Sequence, residues 1–460
     1  MAVKRKEPPV KAQTPAKKPR RPEIPEYHST PSIVEDDGSM RWPAPQSQLD
    51  RARAIIKECA ESSKQTLIVP DKDADGLSAG AILRHTLVLL GLPGDCITTH
   101  LLLKGNTVHS EDERAAMAAH KPAYIFVVDH GSRSGPPLMD ALETTTLIID
   151  HHHATDEDFP QGSSHVTACE SPPVATSALL TYEICKPLHP AVHDRCAWLC
   201  IVGTHGDLGN ALKWAPPFPD MTDVLKQYTR KALNDVVSLV NAPRRTALYD
   251  VRSAWDALHA TPDPATVLAV PRLREARAEV NAEVERCTHT APKFSADGKV
   301  AVFRIRSAAQ VHPMIATRWC GSLQSKTLEV ILVANEGYLP GKVNFSCRIP
   351  RSARSREPPV SIIERLRYYA SLTEATADGG DAVPLSERIG NDFARGHVQA
   401  SGGVVSVEHF EELMRLMRVG EKAPKSEAGS PAKQKKKAGI DPGQRNTLSS
   451  YFGKKDVKAV

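Results

Sequence analysis

The sequence predicts an α/β protein: a mostly parallel-sheet domain joined by a helix to a smaller α/β domain, with disordered basic tails. Three observations predict it. Short apolar runs alternate with helical spacings from about residue 48, the pattern of βαβ units and a parallel sheet. After Pro292 a second strand–helix series begins. Both ends are rich in Pro and Lys and lack apolar periodicity, so they cannot bury enough surface to offset ordering. The expected division is 1–45 tail, 46–270 catalytic domain, 271–292 linker helix, 293–420 substrate-binding domain and 421–460 tail.

In order, Leu49, Ala52, Ile55, Ile56 and Cys59 share helical spacing and lead into the strand Thr66–Val69. A helix is expected over 77–90, a strand over Ile97–Leu103 and a helix over 111–119. Strands follow at Tyr124–Val128 and Thr146–Ile149, then helices within 173–200, 221–260 and 272–287. In the second domain, strands Val300–Ile305 and Leu328–Val333 flank a helix near 311–323. Val343–Arg348 is a further strand, with helices at 359–369 and 407–418 and a Gly- and acid-rich loop at 374–384.

Composition narrows the class. The chain has 460 residues, 41% hydrophobic and 25% charged, the balance of a globular protein of two or three domains. The net charge of +5 is small, and much of the excess lies in the tails. Nine scattered cysteines without a CxxC pair suggest neither a zinc site nor a disulfide framework. Cys196 and Cys200 sit among Trp198, Leu199 and Ile201 and read as core. No apolar run approaches the ~20 residues a membrane span needs, so a soluble, intracellular protein is expected.

Chemistry concentrates where strands end. Thr66–Val69 runs into Asp71-Lys72-Asp73-Ala74-Asp75-Gly76, Tyr124–Val128 into Asp129-His130-Gly131, and Thr146–Ile149 into Asp150-His151-His152-His153. In an open parallel sheet the carboxyl edge is where ligands bind. Asp75 and Gly76 are expected just before a helix start, where free N–H groups favour an anion. One Asp at a strand end is usually a turn or cap residue. Three acidic ends in series imply cations, because clustered carboxylates repel unless neutralised. Mixed carboxylate and imidazole donors suit Mn²⁺, with Mg²⁺ open.

These motifs, in this order, resemble the DHH phosphoesterase family. Asp71–Gly76 resembles the DxDxDG motif of RecJ-type nucleases, Asp129 the second motif, Asp150-His151-His152 the namesake triplet, and Gly203-Thr204-His205-Gly206-Asp207 the fourth. The resemblance implies Asp73, Asp75, Asp129, His151 and Asp207 as metal ligands, with Asp129 bridging two ions and Asp71 a less certain ligand. His152 either ligates metal or contacts the scissile phosphate, and Asp150 orients an imidazole. These residues other than Asp71 form the expected catalytic set; His130, His153 and His205 are expected in solvated or supporting roles. Gly396-His397-Val398-Gln399-Ala400-Ser401-Gly402-Gly403 and Tyr338–Arg348 resemble signatures of the DHHA1 domain, which implies Arg348, Gly396 and His397 as substrate-binding residues. Ala394 and Arg395 stand where the family usually has glycines.

The resemblance implies two-metal hydrolysis of phosphodiesters, leaving a phosphomonoester and a hydroxyl. The expected role is a single-strand exonuclease on DNA or RNA in nuclear replication or repair. The alternatives are short oligonucleotides, cyclic dinucleotides or polyphosphate as substrate, or a non-catalytic replication scaffold, against which the intact acidic set argues. Arg348, Arg351, Arg354 and Arg356 either track a backbone or form a solvated loop, and Tyr338, Phe345, Tyr368 and Tyr369 are available for stacking. Lys4-Arg5-Lys6 and Lys17-Lys18-Pro19-Arg20-Arg21 resemble a bipartite signal for a nuclear import receptor, or form a basic arm. Leu448, Tyr451 and Phe452 resemble a PCNA sliding-clamp motif, with Arg445 where its Gln usually stands.

Overall fold

The computed structural model describes residues 30–139, 143–323, 325–373, 383–390, 393–397 and 400–421. The basic clusters at Lys4 and Lys17 and the clamp-like Leu448, Tyr451 and Phe452 lie outside the described residues. So does most of the loop expected at 374–384.

A short hairpin, β1 (Ile33–Val34) and β2 (Met40–Arg41), precedes α1 (Gln46–Ser62). The first lobe continues through β3 (Thr66–Pro70), α2 (Ala74–Leu89), β4 (Ile97–Thr99), α3 (Glu111–Ala119), β5 (Tyr124–Val128), β6 (Thr145–Asp150) and β7 (Ser164–Thr167). Helices α4 (Ser177–Cys185), α5 (Val192–Leu208), α6 (Thr222–Tyr228), α7 (Arg230–Val240), α8 (Val251–Ala260) and α9 (Pro264–Ala269) complete it. Then α10 (Pro271–Thr288) leads to β8 (Lys293–Phe294), β9 (Val300–Ile305), α11 (His312–Ser322), β10 (Val330–Leu339) and β11 (Lys342–Arg348). The last elements are α12 (Ile362–Ala370), α13 (Leu385–Arg388), β12 (Arg395–His397), β13 (Ala400–Ser406) and α14 (Val407–Leu416).

The first sheet has the order β4-β3-β5-β6-β7 and is parallel throughout. Every residue of β3 and β5 is buried, which explains their unbroken apolar runs. Alternate residues serve opposite faces: Ile68, Phe126, Val128 and Ile149 join the core that holds Trp198 and Trp255. Leu67, Val69, Ile125, Val127 and Ile148 face the core with Val108 and Met117. From β3 the chain steps to β4 on one side, then returns to place β5 on the other. The order therefore reverses at the β3/β5 edge, which opens a crevice beyond the carboxyl ends of those strands.

The second sheet, β12-β13-β11-β10-β9-β8, is mixed: β9 and β10 run parallel and the remaining pairs antiparallel. Val300 and Val302 pack toward α12 and α14, whereas Ala301, Phe303 and Ile305 pack toward α10 and α11. The lobes meet where Gln310 N–H donates to the Arg245 carbonyl at 2.9 Å. Lys104 Nζ reaches the Ala308 carbonyl at 2.8 Å and lies over the Tyr338 ring. Among the described residues no helix is long and apolar enough to cross a membrane.

Several expectations change. Helix α2 starts at Ala74 because Asp73 caps it, accepting from the N–H groups of Asp75 (3.0 Å) and Gly76 (3.3 Å). Asp75 and Gly76 thus lie inside the first turn rather than before the helix. The strand expected to reach Leu103 ends at Thr99, and the buried Glu113 carboxylate binds the Leu103 N–H and His100 Nε2 beyond it. Phe345 and Tyr369 are core residues rather than stacking platforms, and Tyr369 donates to Asp297 at 2.8 Å. Arg356 bonds the carbonyls of Lys326 and Leu328, so it braces its own domain.

Candidate metal centre

At the β3/β5 crevice the backbone itself is committed to the site. The Asp71 N–H donates to the Val128 carbonyl at 3.0 Å, tying the first motif to β5. Asp129, buried at the end of β5, adopts φ +67°, a conformation that Asp tolerates better than most residues and that recurs at functional sites. Helix α5 delivers Asp207 only because it packs closely: a Cβ on Gly203 would stand 2.3 Å from Ala178 Cβ and 2.9 Å from Asp75 Oδ1. A Cβ on Gly76 would meet the Asp71 backbone at 2.7 Å. Both glycines are therefore sterically required.

Seven side chains converge in three overlapping groups: Asp129 with His151 and His152; Asp75 with His151 and Asp207; Asp71 with Asp73 and Asp129. Within each group the potential ligand atoms lie within 4.8 Å of one another. His151 Nε2 is 3.3 Å from Asp129 Oδ1, 3.3 Å from Asp207 Oδ2 and 4.0 Å from Asp75 Oδ2. Asp75 is anchored by the first N–H groups of α4, from Ser177 at 2.7 Å and Ala178 at 3.0 Å.

The electrostatics are those of a crowded, buried acidic cluster. Burial, then repulsion from Asp75 and Asp73, lifts the Asp129 carboxyl well above its usual range. Asp207 is lifted by the same causes. Asp75 rises to about 6, mainly through burial and opposed by its backbone donors. Asp71 moves the other way, to about 2: burial opposes ionisation, but Lys72 at 3.1 Å, His130 and Arg244 outweigh it. Asp129 Oδ1 is buried and accepts no hydrogen bond among the described residues. Crowded, hard oxygen donors with imidazole nitrogen fit divalent ions such as Mn²⁺ or Mg²⁺.

Asp150 sits behind this cluster. It accepts from Ser132 Oγ at 2.6 Å, the His151 N–H at 2.8 Å and His152 Nδ1 at 2.7 Å. Burial opposes its ionisation, yet the His152 bond and charge hold it well below the usual range. In return Asp150 overcomes the burial of His152 and raises that imidazole to about 9. With Nδ1 engaged, Nε2 of His152 remains for an ion or a phosphate.

The flanking histidines have other partners. His130 Nε2 meets the Val69 carbonyl at 2.9 Å, His153 is exposed, and buried His205 accepts from Trp214 at 3.4 Å. Burial lowers His205 to about 4. Arg348 is half-buried and donates to Ser346 Oγ and to the Cys347 carbonyl. Its charge, with that of Arg245, bears on buried His312, which burial chiefly lowers to about 3. Gly396 and His397 form part of β12, but the His397 side chain lies outside the described residues.

Some participants were not singled out from the sequence. Arg244 stands 3.7 Å from Asp73 and also bonds Asn241 and Gln310. Asn241 accepts from the Ala74 N–H at 3.3 Å. The adjacent arginines were a visible signal, but a link between residues 167 apart carries none. Ser132, just after Asp-His-Gly, could have been read as a partner for a neighbouring carboxylate.

The fold and site fit a DHH domain, and residues 65–204 match the description "DHH family, N-terminal domain". Among solved structures the fold is similar to RecJ of Thermus thermophilus in complex with Mn²⁺ (TM-score 0.56, 19% identity). That match covers 82% of this chain and 55% of the Thermus protein, so the chain spans little more than half its length. A second, exonuclease RecJ bound to manganese, has TM-score 0.51 and 18% identity over 80% of this chain and 93% of that one. A DHH domain described as a member of the s1p family of ribosomal proteins matches with TM-score 0.56 and 14% identity, covering 82% and 92%. No curated protein sequence matches the chain.

Proposed function

We propose that this chain is a metal-dependent phosphodiesterase that hydrolyses single-stranded DNA or RNA as an exonuclease. The observation that carries the reading is the convergence of Asp71, Asp73, Asp75, Asp129, His151, His152 and Asp207 at the crevice of a parallel sheet. In this reading Asp75, His151 and Asp207 would hold one ion and Asp71 and Asp73 a second, with Asp129 shared and His152 ligating or contacting the phosphate. An imidazole nitrogen serves one ion at a time, whereas a carboxylate has two oxygens to share. Two divalent ions, when bound, supply an activated water and neutralise charge on the phosphate. Asp150 keeps His152 in one tautomer. Arg244 and Arg348 supply guanidinium donors suited to phosphate, and His397 joins them on the family analogy.

The test offers end-labelled DNA and RNA of several lengths to the purified chain with Mn²⁺ or Mg²⁺. Stepwise mononucleotide release from one end is expected, and Asp129→Asn should abolish it. Cleavage confined to dinucleotides, cyclic dinucleotides or polyphosphate would replace the substrate assignment. No hydrolysis of any phosphoester would favour a scaffold. A nuclear location in replication or repair, import-receptor binding and PCNA contact through Leu448, Tyr451 and Phe452 rest on the tail sequences. Loss of clamp binding on replacing Tyr451 and Phe452 by Ala would check the last.

A further inference from the structure

Beside the candidate metal centre lies a cavity of about 410 Å³. One wall is the end of α5 at His205 and Gly206, immediately before Asp207. The opposite walls carry Asn234 and Ser238 from α7, Asn241, Arg245, Asn281 from α10, and Met314 from α11. Asn241 also holds the Ala74 N–H between Asp73 and Asp75, so the cavity shares a wall with the candidate metal centre.

The lining is unusual in what it leaves unused. The side chains of Asn234, Ser238 and Asn281 make no hydrogen bond among the described residues. The Arg245 guanidinium likewise makes no hydrogen bond or close ion pair there. A carboxamide presents a donor and an acceptor side by side, the arrangement that matches a nucleobase edge. An unpaired guanidinium matches a phosphate. Val237, Val280 and Met314 add apolar walls against which a planar ring can lie.

We propose that this cavity is a nucleotide subsite, holding the base of one nucleotide against Asn234 and Asn281 with its phosphate directed to Arg245. It rests on the reading of the chain as a nuclease and deepens it, because a base held in a cavity that shares the Asn241 wall with the candidate metal centre would fix the strand relative to it. The predicted consequence is base-dependent binding, which backbone contacts alone do not give.

The test is equilibrium dialysis of the full chain, in chelator, against adenosine, guanosine, cytidine and uridine 5′-monophosphates and against ribose 5-phosphate. At least one nucleotide should bind about tenfold or more tightly than ribose 5-phosphate. That margin should vanish in the double variant Asn234→Ala/Asn281→Ala and in Ser238→Phe, which plugs the cavity, with ribose 5-phosphate binding kept by the double variant. Equal binding of nucleotides and the base-free sugar phosphate would overturn the proposal, as would a margin that survives the double variant. Because this assay needs no turnover, hydrolysis without base-dependent binding sinks the subsite alone. Base-dependent binding without strand hydrolysis sinks the nuclease reading alone.

Discussion

At the scale of single residues, the site works by opposing shifts. Asp75, Asp129 and Asp207 are held toward their protonated forms by burial and mutual repulsion, so metal must displace protons to bind. Mn²⁺ affinity should therefore fall steeply as pH drops through about 6, with proton release on binding. Calorimetry in buffers of different ionisation enthalpy would measure that release; a flat pH dependence would contradict the assignment. Asp150 tests the supporting layer. Asp150→Asn should lower the His152 pKa from about 9 and reduce metal affinity or turnover by about 10–100-fold. The stability sign follows from the raised His152 value: its contribution is present below its unfolded pKa and disappears as pH rises through about 9. The His152 side chain is 58% exposed, so solvent screens this contribution and the melting shift in metal-free protein should be small.

At the scale of elements, the close packing of α5 against α2 and α4 decides whether Asp207 reaches the cluster. Gly203→Ala would push a methyl into Ala178 and Asp75. Overpacking of this kind costs about 1–3 kcal/mol. The variant should melt earlier and bind Mn²⁺ more weakly, because the strain falls on a carboxylate that would face the ion. Thermal unfolding with and without Mn²⁺ checks both; unchanged metal affinity would show that α5 can shift without moving Asp207. The first turn of α2 is similarly constrained, since Asp73 serves as helix cap as well as candidate ligand.

At the scale of the whole molecule, each sheet has its own hydrophobic clusters, and the metal-ligand candidates all belong to the first lobe. Phe410 is fully buried in the second lobe, and Phe410→Ala should cost about 3–5 kcal/mol there. Mn²⁺ binding should survive that change, while affinity for a DNA strand should drop. Loss of both together would mean that the first lobe cannot hold its site without the second. The link through Arg244 is the route for such coupling, because one guanidinium touches Asp73, Asn241 and Gln310.

The sequence by itself determined the alternating α/β order and the strands that end in acidic and imidazole residues, because apolar periodicity and strand-end placement are local properties; the seven candidate ligands, with Asp207 on a helix, came from the resemblance of its motifs to the DHH family. Tertiary structure alone decided that these ends share one crevice, that Asp73 caps α2, and that Phe345 and Tyr369 are core. It also brought Arg244 to Asp73 and Asn241 to the Ala74 N–H, with the cavity at Asn234 and Asn281 sharing the Asn241 wall. Such contacts join residues far apart in the chain, and their energy comes from packing and from a shared electric field, for which sequence spacing carries no signal.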